Sequence, residues 1–542
     1  MGVIPAARTD QKPMPNIFAY IVLFSYPIIV VVLFRRLPLP QALVWSVMGG
    51  YLFLPEGTEV DLPLLPSFDK VLIPSLTAAL MCWLTPPPVQ PRRATAESLR
   101  TGGRAASPAG RRGGGVAAVA ELRRSRIADL CLLTLLVLTP VGIALTNSDP
   151  VIAGPRFIGG IRVYDIFSMM LNSGVMLLPF LLARRHLGTP EAHLEILRAF
   201  VILGLVYSVL ILIEVRLSPQ LHRWFYGFHA HFFGQQIRGG GFRPMVFIQH
   251  GLRVGLFMLL VVLAAMTLYK LRGALQARGA GLRDGSQAPG EAAAPGFRTV
   301  PLVLVAYLLG ILLISKALGA FLIAVIFLPV MLLTQARSWR FLAAFFAVAV
   351  LLYPMARSAG LTPVDRMYEI AQSINEDRAR SFKFRLDNED MLLARASEKP
   401  LLGWGGWGRS RVYEAGTGRD IAVTDGTWVI VFGVSGWIGY LAQFGLLTLP
   451  VFAYLFTRGR LRRDVVSQGL CLMLTANMID LIPNSGLTPV TWMMAGALLG
   501  RFERRGAEAA PEAAASARRS PASSRAGSHA PAARETGSRG VA

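Results

Sequence analysis

Long apolar runs alternate with short polar or basic segments along most of the chain. Runs of roughly 18 or more apolar residues are typical of helices that cross a bilayer, which need about 20 residues. The pattern therefore predicts an all-α polytopic membrane protein with about 12–13 transmembrane helices and a large loop between two late helices. The apolar runs lie near 17–34, 41–55, 71–85, 127–146, 163–183, 197–215, 248–270, 299–315, 317–334, 338–355, 428–457, 467–483 and 487–502. The runs at 41–55 and 71–85 are short, so tilted, interfacial and re-entrant arrangements all stay open for them.

Composition supports a membrane location. Hydrophobic residues make up 53% of the 542 residues and charged residues only 16%, against about 25% in soluble proteins. The net charge of +23 is concentrated between apolar runs and near the ends, which is the positive-inside pattern, so no nucleic-acid partner is expected. The three cysteines, Cys82, Cys131 and Cys471, lie in apolar runs without metal-like spacing, and neither a metal nor another cofactor is expected.

The basic residues also orient the chain, because cytoplasmic loops are enriched in Lys and Arg. Loops 147–162, 216–247 and 356–427 are then periplasmic, and the same count puts the N-terminus outside. The predicted organisation is N-terminal transmembrane helices 1–85, a disordered cytoplasmic linker 86–125, a central transmembrane region 126–272 containing loop 216–247, a cytoplasmic linker 273–296, transmembrane helices 297–355, the large periplasmic loop 356–427, C-terminal transmembrane helices 428–503 and a disordered tail 504–542. The linkers are rich in Arg, Gly, Ala and Pro, so they are expected to stay unfolded and to contact membrane lipids.

Loop 216–247 contains RWFYGFHAHFFGQQIRGGGFRPMVF, in which Arg238 and Arg243 bracket three glycines. Glycine lets backbone approach a ligand closely, and arginine presents a planar fork to phosphate. The alternative is an interfacial loop whose arginines contact lipid headgroups. Just before the loop, Glu214 and Arg216 are expected to pair or to extend toward the membrane surface.

Two further segments carry candidate chemistry. Lys316 lies in LLISKALGAFLIAV, between two apolar runs, where a lysine is costly unless it faces a polar cavity or binds an anion. The loop 356–427 contains Arg385 and Glu389, with a short helix predicted around 386–397, followed by PLLGWGGWG and TDGTW. A surface-charged loop is the alternative for this second segment.

These landmarks, in this order, resemble the O-antigen ligase and O-antigen polymerase family over roughly residues 127–502. The resemblance rests on RGGGFRP at 238–244, on the Ser-Lys-Ala turn at 315–317, and on the succession KPLLGWGGWG, TDGTW and GVSGWIGYLAQFGLL. It implies a metal-independent glycosyltransferase of the GT-C type in the bacterial inner membrane, acting periplasmically on undecaprenyl-diphosphate-linked glycan. One departure is that many members carry a histidine where this chain has Asp425.

The resemblance also implies roles for particular residues and for other proteins. The expected catalytic residues are Arg238, Lys316 and Asp425, and the expected substrate-binding residues are Arg243, Arg385, Glu389, Trp404 and Arg411. A chain-length regulator and a flippase are the implied protein partners. Polymerase and ligase both stay open, and the alternatives are a transporter or flippase of lipid-linked sugars, which the large loop 356–427 disfavours, and a membrane scaffold.

Overall fold

The computed structural model describes residues 14–62, 65–85, 126–238, 240–281, 300–374, 376–457 and 461–518. The predicted linker 86–125, most of linker 273–296 and the end of the predicted tail lie outside these residues. The described helices are α1 Ile17–Arg36, α2 Leu39–Phe53, α3 Leu72–Leu84, α4 Arg126–Thr146, α5 Val163–His186, α6 Pro190–Leu217, α7 Leu221–Tyr226, α8 Gly251–Gly281, α9 Leu302–Ile314, α10 Leu318–Leu333, α11 Ala336–Ser358, α12 Val364–Ile374, α13 Glu376–Ser397, α14 Thr427–Leu455, α15 Val465–Asp480 and α16 Pro489–Arg518.

The described residues are mostly helical, at 72%. Within the described ranges, seven helices are long and apolar enough to cross a membrane, namely α1, α4, α5, α6, α8, α11 and α14. Four apolar helices are shorter, α3, α9, α10 and α15. The prediction of an all-α multi-pass membrane protein is confirmed at this level. The sequence predicted about 12–13 transmembrane helices, more than the seven that are long enough. Helices α9 and α10, which meet at Lys316, account for part of this difference because each is shorter than a membrane span.

Helix α8 lies at the centre of the bundle and packs against α6, α9, α10 and α15. Its sequence is apolar around its whole circumference, which is typical of a helix without a solvent or lipid face. Helix α1 lies at the edge, and Ile17, Ile21 and Ile28 are exposed along it. These side chains face the surrounding medium, which in a membrane protein is the hydrocarbon of the bilayer.

Helices α5 and α16 pack at very short range because glycines line the contact. A Cβ on Gly496 would lie 2.2 Å from the carbonyl oxygen of Phe180, and one on Gly500 would lie 2.1 Å from that of Arg184. Glycines four residues apart form one small face, which lets two backbones approach in a membrane. Arg184 adds ion pairs to Asp129 and Glu503, each 2.8 Å long.

Two small antiparallel hairpins lie in the connections between helices. Strand β1 (Val151–Ala153) pairs with β2 (Arg156–Ile158), and β3 (Ile237–Arg238) pairs with β4 (Gly241–Phe242). In the second hairpin, Arg238 lies opposite Gly241. The glycine-rich motif of the sequence therefore lies in a hairpin of two-residue strands.

Replacing Gly496 with leucine is expected to destabilise the protein by about 1–3 kcal/mol, because the new side chain would force α5 and α16 apart. Thermal unfolding of the purified protein in detergent measures the effect. Gly310→Leu is the matched control, since a Cβ at this position in α9 meets no atom within 4 Å. Equal melting temperatures for the two variants would contradict the glycine contact.

Candidate functional site

A single buried carboxylate fixes the connection between α6 and α8. Glu214, only 1% exposed, accepts hydrogen bonds from the backbone N–H groups of Leu221 at 3.0 Å, Met245 at 2.7 Å and Val246 at 2.7 Å. Its two oxygens therefore hold both ends of the loop 216–247 against the end of α6. The expected pairing of Glu214 with Arg216 is replaced by these three backbone bonds, because a buried carboxylate needs donors and Arg216 is exposed.

The loop then carries the β3–β4 hairpin toward the turn between α9 and α10. The backbone of Arg238 lies in β3, whereas its side chain lies outside the described part of the chain. Arg243 is 6% exposed, and its Nη2 donates to the carbonyl oxygen of Lys316 at 3.3 Å. Two of the residues predicted from the sequence to act on a phosphate group thus lie in direct contact.

The turn at Lys316 is unusually tight. Lys316 has a φ of 56°, in the left-handed region that costs an L-residue roughly 1–2 kcal/mol, and this conformation reverses the chain between α9 and α10. Its Nζ lies 2.6 Å from the position that a Cβ on Gly241 would occupy. Glycine at 241 therefore leaves the space in which the Lys316 ammonium group lies against the hairpin.

A second glycine brings this turn beside the first turns of α8. A Cβ on Gly255 would lie 2.1 Å from the Cβ of Ala317, so only glycine allows this approach. His250 immediately precedes α8, and its Nδ1 accepts a hydrogen bond from the backbone N–H of Leu252 at 3.1 Å. In the neutral ring, the proton is then on Nε2, which is left as a donor.

His250 lies among positive charges. Desolvation, the largest effect, and the neighbouring charges of His231, Arg243, Arg253 and Arg385 together lower its pKa from 6.5 to about 3. The rings of His231 and His250 are 4.8 Å apart between centroids. We call the group His231, Arg243, His250, Arg253, Lys316 and Arg385 the cationic cluster.

The segment between α15 and α16 supports two arginines of the cationic cluster. Arg385 donates from Nη1 to the oxygen of Pro483 at 3.2 Å and to Oδ1 of Asn484 at 3.3 Å. Arg253 donates to the carbonyl oxygen of Ser485 at 3.2 Å and 3.3 Å. Arg385 also lies 3.5 Å from Asp425, measured from Nε to Oδ2, so these two predicted site residues are an ion pair.

Acidic groups also lie beside the cationic cluster. Glu56 lies 3.0 Å from Lys70 and 3.9 Å from Arg253. Burial acts to raise the pKa of Glu56, but the charges of Lys70 and Arg253 outweigh it, and the pKa is lowered. Asp480 accepts a hydrogen bond from Asn484 at 3.0 Å. Among the described residues of this region, basic side chains nevertheless outnumber acidic ones.

Glu389 anchors the helix that carries Arg385. It accepts hydrogen bonds from Nε1 of Trp428 at 2.7 Å and from the hydroxyl of Tyr353 at 3.3 Å, and it lies 3.5 Å from Arg357. Burial raises the pKa of Glu389 against the opposing effects of Trp428 and Arg357. The contacts of this carboxylate are therefore with α11 and α14, and they hold α13 in place.

The PLLGWGGWG turn docks onto a break in α14. Gly436 has a φ of 61°, which interrupts the helix. The backbone N–H groups of Trp404 and Gly405 donate to the carbonyls of Gly433 and Val434 at 2.8 Å and 2.9 Å. In return, the N–H of Trp437 donates to the carbonyl of Pro400 at 2.8 Å. The turn thus satisfies backbone groups that the break sets free.

Trp404 and Arg411 make local contacts in this turn region. The ring of Trp404 lies 3.4 Å from the guanidinium carbon of Arg395 and 4.6 Å from Nζ of Lys399, measured to the ring centroid. Arg411 forms an ion pair with Asp420. Within the described part of the chain, the contacts of both residues are with these neighbours rather than with the cationic cluster, so their predicted role in substrate binding stays a prediction.

Sequence reasoning missed His250 and Arg253. Both lie in the run 248–270, whose composition predicts an apolar helix and not a polar site. The sequence signal for a polar site was Arg253, because an arginine in the first turn of a membrane helix usually faces a polar partner. In the described ranges, no group of three or more His, Cys, Asp or Glu side chains is arranged to hold a metal ion.

Glu214→Gln is expected to lower the stability of the protein by about 1.5–3 kcal/mol, because a neutral amide replaces a charged acceptor of backbone hydrogen bonds. Proteolysis within 216–247 should accelerate at the same time. Thermal unfolding and limited proteolysis measure the two effects. Glu191→Gln, on the exposed first turn of the same helix, is the control. A matching loss in that variant would argue against the role of Glu214 in holding the two ends of the loop.

The pKa of His250 is lowered from 6.5 to about 3, so acid should destabilise the fold. Below about pH 6.5 the unfolded chain binds a proton that the folded chain does not, and stability falls as the pH drops toward 3. His250→Asn keeps a capping side chain but does not titrate. Melting temperatures measured from pH 7 to pH 4 should fall less steeply for the variant, and parallel curves would refute the assignment.

Comparison with known proteins gives no independent guide to this site. The chain matches no protein-family model, no curated protein and no solved structure.

Proposed function

We propose that this protein is a membrane glycosyltransferase that polymerises or ligates undecaprenyl-diphosphate-linked oligosaccharide units at the periplasmic face of a bacterial inner membrane. The observation that carries the proposal is the convergence of Arg243, Lys316 and Arg385 from three separate segments at one end of an apolar bundle. A lipid diphosphate requires this combination, because its headgroup is anionic and its tail needs an apolar surface.

The cationic cluster suits a diphosphate in particular. Arginine forks bind phosphate oxygens in pairs, and lysine supplies a compact charge. The neutral His250 ring adds an Nε2 donor without adding charge. Fixed donors of this kind act most strongly where water is scarce, and they need no reorganisation as the reaction proceeds.

In the proposed reaction, a hydroxyl oxygen of the acceptor sugar attacks the anomeric carbon of the donor glycan. A new glycosidic bond forms, and the bond between the anomeric carbon and the diphosphate oxygen breaks. The bonding electron pair leaves with the diphosphate, whose growing negative charge Arg243, Lys316 and Arg385 would stabilise. The catalytic assignment of Arg238 rests on the family resemblance and on its place in the same hairpin.

Asp425 would receive the hydroxyl proton or orient the hydroxyl group. It is partly exposed and lies 3.5 Å from Arg385, so the carboxylate is available to an acceptor while its position is fixed. A general base contributes roughly 10²–10⁴ in rate. This is a smaller share than charge stabilisation of the leaving group commonly supplies.

The distribution of charge supports a periplasmic location for the cationic cluster. The opposite end of the bundle carries many basic side chains at helix ends: Arg35, Arg36, Arg184, Arg185, Lys270, Arg272, Arg337, Arg340, Arg462, Arg463, Arg501 and Arg504. Lys and Arg are retained preferentially on the cytoplasmic side. That end is then cytoplasmic, and the cationic cluster faces outward.

Lys316→Gln is expected to reduce glycan transfer by about 10²-fold or more, because one fixed cation at the leaving group is lost. The measurement is surface polysaccharide, separated by gel, in a deletion strain that expresses the variant. Lys383→Gln is the control, since Lys383 is an exposed lysine of α13 that pairs with Asp387 at 4.0 Å. Membrane levels of each variant are measured alongside.

The same strain separates the alternatives. Accumulation of single lipid-linked repeat units in the deletion strain would identify a polymerase, and accumulation of long lipid-linked polymer would identify a ligase. Full-length polysaccharide with Lys316→Gln would refute the proposed role of this lysine. Repeat units confined to the cytoplasmic leaflet would instead identify a transporter.

A further inference from the structure

A large cavity lies at the opposite end of the bundle from the cationic cluster. Its volume is about 800 Å³, and it lies between the end of α8, the start of α11 and the start of α15. Gly251, at the start of α8, and Lys270, at the cavity, are separated by 19 helical residues, or about 29 Å along the axis. This is close to the thickness of the hydrocarbon core, so the cavity lies at the other membrane face.

The cavity is lined by four cationic side chains. These are Lys270, Arg272, Arg337 and Arg463, and no acidic residue lines the cavity in the described part of the chain. Asp464 follows Arg463, but its carboxylate is engaged as the cap of α15, where it accepts from Val466 and from the N–H and hydroxyl of Ser467. Among the described lining residues, no acidic side chain therefore balances the positive charge in the cavity.

A helix end adds to this charge. Helix α11 starts at the cavity, where Gln335 is its N-cap and makes no side-chain hydrogen bond to the first turn. The unbonded N–H groups of a helix N-terminus carry about half a positive charge and bind phosphate well. A 23-residue helix and four basic side chains thus present donors to the same volume.

The helices that reach the cavity expose large apolar side chains, which favours a lipid over a soluble anion. Nζ of Lys270 donates to the carbonyl oxygen of Leu332 at 2.9 Å, which places the end of α10 beside the cavity. Leu333 there is 81% exposed, and Phe341 on α11 is 59% exposed. These side chains would contact acyl chains directly below a headgroup that occupies the cavity.

We propose that this cavity binds the phosphate-bearing headgroup of an anionic phospholipid, with its acyl chains lying against α10 and α11. Basic pockets between helix ends are suited to such headgroups. The volume is within the range of about 300–1,000 Å³ that is typical of ligand sites. The site is separate from the proposed glycosyl-transfer site and does not depend on it.

The test is native mass spectrometry of the full-length protein in detergent, titrated with cardiolipin, phosphatidylglycerol or phosphatidylcholine. The wild type should bind the two anionic lipids at least about tenfold more tightly than phosphatidylcholine. The double variant R337Q/R463Q should bind cardiolipin about 30-fold more weakly, because two phosphate-facing charges are removed.

The matched control is R35Q/R36Q. It removes two exposed arginines at the end of α1, which do not line the cavity. Cardiolipin affinity in this control should stay within about twofold of the wild type. An equal loss in both double variants would show that only the overall charge attracts lipid, and would overturn the site.

Wild-type measurements alone also decide the proposal, so it does not depend on the variants folding. Equal affinity of the wild type for phosphatidylglycerol and phosphatidylcholine would overturn it. Glycerol 3-phosphate supplies the same phosphate without acyl chains. If this compound bound as tightly as phosphatidylglycerol, the ligand would be a soluble phosphate and the lipid assignment would be wrong.

Discussion

The arrangement at the cationic end of the bundle depends on the three backbone hydrogen bonds that Glu214 accepts. A carboxylate buried at the end of an apolar helix is costly unless every lone pair is used. Leu221, Met245 and Val246 supply the donors, and this requirement brings the start and the end of the connection between α6 and α8 to one point. Arg243 and His250 lie on either side of that point, so their positions follow from it.

Glycines, which have no side chain, are the second means by which the cations are brought together. Gly255 lets Ala317 approach α8, and Gly241 leaves the volume that the Lys316 ammonium group occupies. Long flexible side chains such as lysine lose rotamer freedom when they are fixed. Here the backbone conformation positions the Lys316 ammonium group, so fewer side-chain contacts are needed to fix the lysine side chain.

Much of the helical architecture could be predicted from the sequence, because apolar runs must be helical in a bilayer. Arg243 lies beside Lys316 and Arg385 beside Asp425, whereas the roles that the resemblance implies for these residues stay predictions. The environment of His250 could not be predicted, since it combines residues of the loop 216–247 with Arg385, which lies far along the chain. The contacts of Glu214 could not be predicted either, because its partners are backbone N–H groups. Every residue except proline carries such a group, so no residue type in the sequence indicates the contact.

The break at Gly436 has a mechanical consequence. The 400–408 turn supplies hydrogen-bond partners for the interrupted helix. If the turn moved away, several backbone N–H and C=O groups of α14 would lose their partners. The turn and both halves of α14 must therefore travel as one rigid unit. Helix α13, by contrast, is held to α11 and α14 by the side chain of Glu389 and not by backbone hydrogen bonds to a helix break.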